Sequence, residues 1–113
     1  MPFIPHAART LASTLAVTLV LAAPAAMAQD ANLARNLARN LAATCANCHG
    51  TNGNARGEMK PLAGLPAALI VAAINDYKNG NRPATVMHQI SKGYTDEQVQ
   101  LIAAYFAAQK PVK

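Results

Sequence analysis

Five consecutive residues, Cys45-Ala46-Asn47-Cys48-His49, constrain this chain more than any other stretch. On a helical turn residues three apart share a face, so the two thiols point the same way. A histidine follows the second thiol at once and offers a ring nitrogen beside them. Cys-x-x-Cys-His in this order is the attachment pattern of c-type haem: the thiols add across two vinyl groups as thioethers, and the imidazole binds iron. Paired cysteines have two other common uses. A thioredoxin-like dithiol sits in a βαβ setting, and this sequence holds no convincing stretch with the period of two that strands require. A structural zinc site takes four ligands, and only one further histidine, His88, lies after the motif. The pattern therefore predicts one covalently bound haem c.

Residues 1–28 read as a secretion signal. Arg9 charges its first part, Leu11 to Ala23 is an apolar run, and Ala26-Met27-Ala28 is a small-residue cleavage site. The rival reading is a membrane anchor, but the run is short of the about 20 residues a span needs. Haem is joined to such proteins outside the cytoplasmic membrane in bacteria, so the two signals agree. They predict a periplasmic protein cleaved after Ala28, with no membrane span afterwards. Residues 29–113 then make one domain of 85 residues, near the size at which side chains alone give a marginal core. A buried haem would enlarge that core. Nine Lys/Arg against five Asp/Glu leave this part at +4, and no basic run marks it for nucleic acid. A mildly basic surface suits an acidic redox partner.

The remaining pattern is helical throughout. Asn-Leu-Ala-Arg repeats from Asn32, then again from Asn36, with Asn40-Leu41-Ala42-Ala43 as a third copy. The period of four places Leu33, Leu37 and Leu41 along one slowly drifting stripe of a first helix, with Asp30 as its cap, running straight into Cys45. Gly50 to Gly57 is a glycine-rich loop, and Lys60 to Leu65 a second turn. Pro66 to Lys78 predicts a helix with Leu69, Ile70, Ala73, Ile74 and Tyr77 on its buried side, ended by Asn79-Gly80. Ala84 to Ser91 predicts two helical turns closed by Gly93. Thr95 with Gln98 is a capping box, with Asp96 and Glu97 in the first turn of a last helix. Val99, Ile102, Ala103 and Phe106 face inward along it.

His49 leaves one axial position of the iron to be filled. Met59 lies ten residues on, a short arm to wrap around a ring edge. Met87 lies 38 residues on, ample chain to reach the opposite face. His88 is its neighbour, about 100° away on a helix, so the two cannot both point at one atom. Met87 is the favoured distal ligand; His88, Met59 and an open position are the alternatives. Thioether opposite imidazole raises a reduction potential and leaves no vacancy for oxygen or peroxide. That predicts one-electron transfer rather than bond-making chemistry, so the chain is read as no enzyme. An open sixth site with His88 as an acid/base group would instead make a haem enzyme or gas-binding protein.

On these residues the chain resembles the class I cytochromes c. More narrowly, it is similar to the cytochrome subunit of flavocytochrome c sulfide dehydrogenase and related small periplasmic cytochromes. The resemblance is carried by Cys45 to Asn54, Tyr77-Lys78-Asn79-Gly80, the block from Pro83 to Thr95, and Ala103-Ala104-Tyr105-Phe106. It implies an all-α, single-domain fold of about four helices around one covalent haem. It places Met87 at the family's distal ligand and makes Pro61 the candidate whose carbonyl accepts the Nδ1–H of His49. It implies that the first and last helices cross, with the Leu37 and Leu41 region against Tyr105 and Phe106. It implies an FAD-containing flavoprotein as electron donor, and another cytochrome or an oxidase as acceptor. A free carrier feeding a terminal oxidase shares the same motifs. Arg56, Lys60, Lys78, Arg82 and Lys92 are candidates for a ring of charge around the haem edge.

Overall fold

The computed structural model describes the backbone from residue 15 and side chains from residue 25 onward. Arg9 and the side chains of the Leu11–Ala23 run therefore lie outside the described residues. Helix α1 spans Leu15–His49 and passes through Ala26-Met27-Ala28. Asp30, expected as a cap, thus lies inside the helix, because residues on its N-terminal side are helical too. Residues 25–32 are exposed throughout. Leu33–Lys113 form a compact unit of their own. After α1 come a single 3-10 turn (Thr51–Gly53), α2 (Ala67–Lys78), α3 (Met87–Lys92) and α4 (Asp96–Ala107). Among the described residues there is no strand, and no helix is long and apolar enough to cross a membrane.

Each helix ends where its sequence directs. Gly80, at φ 76°, closes α2 in a Schellman turn: Asn81 N donates to Asp76 O at 2.9 Å and Gly80 N to Tyr77 O at 3.2 Å. The third helix is shorter than its sequence pattern suggests, beginning at Met87 rather than Ala84. Residues 81–86 stay outside any helix, and Val86 takes the cap position. The expected capping box of α4 is present: Thr95 Oγ1 accepts from Gln98 N at 3.3 Å and Thr95 N donates to Gln98 Oε1 at 3.0 Å. Hydrogen bonds from its own backbone N–H and from the Thr95 hydroxyl hold the Glu97 carboxyl below its ordinary value. Its support for the cap is present above the usual Glu pKa of about 4.3 and is lost as pH falls through the lowered folded value.

The core draws one residue from α1, one from α2 and three from α4: Ala42, Ile70, Ile102, Ala103 and Phe106. Two of the five are alanines, which let helices approach closely. On α1 the residues that turn inward are Ala38, Leu41, Ala42 and Cys45, a spacing of three and four that follows the helical repeat. Leu33 and Leu37 stay 62% and 49% exposed. The strict period of four runs ahead of 3.6 residues per turn, so its leucines rotate toward the core only at Leu41. Leu41 and Tyr105 do pack against the cluster containing Phe106, but Leu37 does not join them. Helix α2 packs on both α3 and α4. Lys78 braces their junction, its Nζ 2.8 Å from Tyr94 O and 3.3 Å from Asp96 Oδ1.

Thr95→Ala removes the acceptor for Gln98 N and is expected to cost about 1 kcal/mol of unfolding free energy. Urea denaturation checks this; an unchanged midpoint would mean the cap is not held in solution.

Candidate functional site

The last turn of α1 presents Cys45, Cys48 and His49, and four constraints fix the course of the loop beyond it. Gly50 takes φ 81°, a left-handed conformation that ends the helix cheaply only for glycine. A Cβ there would lie 2.2 Å from Asn54 O. Gly53, at φ 78°, sits where a Cβ would lie 2.7 Å from Ala63 N and 2.8 Å from Phe106. Its carbonyl accepts from Leu62 N at 2.8 Å and Ala63 N at 3.1 Å, folding the second turn back beneath the first. Tyr105 donates its hydroxyl to Asn52 Oδ1 at 2.7 Å, tying α4 to the same loop. Asn54 holds the C-terminal residues, donating to Lys110 O at 3.2 Å and accepting from Val112 N at 2.7 Å.

This folding brings a carbonyl to His49. The oxygen 2.7 Å from its Nδ1 belongs to Lys60, not to Pro61 as the resemblance implied. The acceptor is still an oxygen of the Lys60–Pro61 peptide unit, one residue upstream. A residue before proline is held extended, which fixes the direction of its carbonyl. A carbonyl can only accept, so Nδ1 carries the proton and Nε2 keeps its lone pair for a ligand.

Beside this histidine lies a partly open cleft of about 280 Å³, just below the roughly 300–1,000 Å³ usual for ligand sites. Its lining is almost wholly apolar and includes Cys45, Leu62, Ile74, Met87 and Ile102 beside His49. Met87, on the first turn of α3, therefore shares a cavity with Cys45 and His49 at the end of α1. Leu69 and Ile90 line it and are nevertheless 60% and 37% exposed; Leu69, expected on the buried side of α2, faces this cleft. A flat apolar group lying there would cover them. Ser91, the one fully buried polar side chain among the described residues, donates to Met87 O and tightens the turn carrying Met87.

The other candidates fall elsewhere. Met59 is exposed and outside the cleft lining. His88 packs its ring against the edge of Tyr77, with centroids 6.5 Å apart, and does not line the cleft either. Cys48 is exposed and borders a separate polar hollow with Asn52, Asn54 and Arg56. Burial pushes the Cys45 thiol above its ordinary pKa, against a smaller lowering by a backbone hydrogen bond, so it stays protonated at neutral pH. Of the five candidate rim cations, Lys60 and Arg82 line the cleft, while Lys78 is committed to Asp96.

The family model described as cytochrome c oxidase, cbb3-type, subunit III matches residues 32–106. The chain belongs to this family of cytochrome c domains. It is 46% identical over 63 residues to the cytochrome subunit of sulfide dehydrogenase from Chlorobaculum tepidum, covering 56% of this chain and 57% of that one. It is 35% identical over 71 residues to cytochrome c-554(548) of Halomonas halodenitrificans, covering 59% of this chain and 86% of the relative. A thiosulfate dehydrogenase electron acceptor from Thiomonas intermedia is 41% identical over 69 residues, covering 58% of this chain but 32% of that protein. The chain thus spans little more than half of the sulfide dehydrogenase subunit. Membership makes it an electron-carrying cytochrome c domain, and the family's haem c suits an apolar cleft bordered by a thiol, an imidazole and a thioether.

Gly53→Ala would force a left-handed backbone on a residue with a Cβ and drive that atom into Ala63. A loss of about 1–3 kcal/mol is expected, read as a lowered unfolding temperature of the haem-loaded protein.

Proposed function

We propose that this cytochrome c domain is a periplasmic one-electron carrier holding one haem c. Cys45 and Cys48 are its thioether anchors, and His49 and Met87 its axial ligands. The observation that carries the reading is the convergence of Cys45, His49 and Met87 on one apolar cleft, the two ligands lying 38 residues apart in sequence. When bound, the group supplies a reversible one-electron couple. The chain's residues do the rest. Lys60 O holds the His49 ring by its Nδ1–H and makes it the better donor. Met87 offers a soft thioether that favours the reduced state. Leu62, Ile70 and Ile102 give both donors an apolar wall.

The electron donor we infer is a flavoprotein of the sulfide dehydrogenase kind, with another cytochrome or an oxidase as acceptor. The 46% identity to the Chlorobaculum tepidum subunit supports this. A second reading, a free carrier, is favoured by the match to nearly all of the Halomonas cytochrome. Periplasmic location rests on the charged, apolar and Ala-x-Ala pattern of residues 1–28.

Protein matured with a cytochrome-assembly system is expected to show low-spin spectra and a thioether-to-ferric charge-transfer band. Met87→Ala should abolish that band and lower the potential while leaving the haem covalently attached; a band that survives would sink the Met87 assignment. Isolation from the native periplasm separates the two partner readings. A co-purifying flavin chain with haem reduction by sulfide supports the complex, and a monomer without flavin supports the free carrier. Rates with the partner should fall as salt rises, if the net +4 of residues 29–113 guides docking.

A further inference from the structure

Ser91, 1% exposed, donates its hydroxyl to Met87 O four residues earlier. His88 O lies 3.5 Å from the same hydroxyl, at the outer limit of a bond. Neither helix propensity nor packing asks for serine at this position. Alanine is the better helix former, and a buried hydroxyl costs free energy until it is bonded. A serine bonded back to its i−4 carbonyl even weakens a helix slightly. Helix α3 has little to spare: it is six residues long, with no side-chain hydrogen bond at its Val86 cap, and cannot hold its shape alone. Among the described residues, Ser91 is the only side chain that hydrogen-bonds to the α3 backbone. It does so at the residue whose side chain lines the cleft.

From this geometry we infer that Ser91 is a positioning residue for Met87, holding its thioether at the sixth position against exchange. The inference rests on the proposed Met87 ligation. Met87 is the first residue of α3, and helix ends fray. The Ser91 bond ties that first residue to the buried end of the helix. On the other side of the turn, the His88 ring is kept against the edge of Tyr77, so the rotation of α3 about its axis is fixed at two points. A thioether held in this way closes the sixth position to small external ligands and confines the domain to electron transfer.

The test uses the full, haem-loaded protein and reads the ferric charge-transfer band, the rate of cyanide binding to the ferric protein, and thermal unfolding. Ser91→Ala should bind cyanide roughly two- to tenfold faster, the range set by loss of one hydrogen bond, with a weakened band. Gln89→Gly, at an exposed position of the same helix, loosens α3 through its backbone alone and should bind cyanide more slowly than Ser91→Ala. Equal rates in the two variants would reduce Ser91 to helix stability and overturn the assignment. A wild-type cyanide rate in Ser91→Ala, with or without a lower unfolding temperature, overturns it as well. Ser91→Cys keeps the shape with a weaker donor and should fall between; if Ser91→Ala does not accumulate, a wild-type rate in Ser91→Cys overturns the assignment equally. Wild-type protein that carries haem but lacks the band overturns Met87 ligation and this assignment with it. A wild-type band with unmoved variant rates overturns this assignment alone.

Discussion

The contact between His49 Nδ1 and the Lys60 carbonyl is the constraint on which the site depends. It joins the last residue of α1 to a loop 11 residues further on, and it decides which ring nitrogen is left to bind a ligand. That single bond needs a loop that returns to its own start. Gly50 turns the chain out of α1, Gly53 lets backbone pack against Ala63 and Phe106, and Pro61 holds the residue before it extended. Tyr105 and the C-terminal residues then fasten the loop from outside through Asn52 and Asn54. The loop has little hydrophobic content of its own, so polar contacts and forced backbone geometry replace burial as its source of order.

Opposite this rigid half stands a half built on packing. Helix α2 lies between α3 and α4 and gives Ile70 to the core while turning Leu69 and Ile74 to the cleft. Helix α3, only six residues long, cannot be stable by itself. It is held by α2, by Ser91 bonding back to Met87 O, and by the capped start of α4 just beyond it. A methionine on so short a helix is positioned by its neighbours, and these place Met87 in the lining of the cleft. The side-chain core is small for the chain, consistent with a fold completed by an apolar cofactor.

Much of this was legible in sequence because the signals were chemical. The start of α4 was read from Thr95 and Gln98; Cys45 and His49 were picked out by order and spacing, Met87 by chain length and resemblance, and these three residues line one cleft. What was not legible was geometric. The carbonyl belongs to Lys60 and not Pro61 because sequence identifies the peptide bond more easily than its direction. The drifting stripe of Leu33, Leu37 and Leu41 gave no sign that small Ala38 and Ala42 are the residues α1 buries. A close helix approach rewards alanine, and a hydropathy pattern ranks leucine above it. Leu69 and Ile90 mislead in the other direction: they are apolar and exposed, which makes sense only once the cleft they line is known. Arg82 gave no signal beyond a charge after a turn, since its stack on Tyr77, five residues earlier, appears only once the chain has turned out of α2.

Charge within the site follows from the same division of labour. The cleft collects cations and no carboxylate from the chain, while the acidic residues of α4 are used at its own N-terminus, where Asp96 meets Lys78 and Glu97 supports the cap. Lys78 is thereby withdrawn from the site and Arg82 is left to it, though the two residues lie four apart. Beside an apolar wall one stacked cation counts for more than several on an exposed rim, where solvent and salt screen each of them.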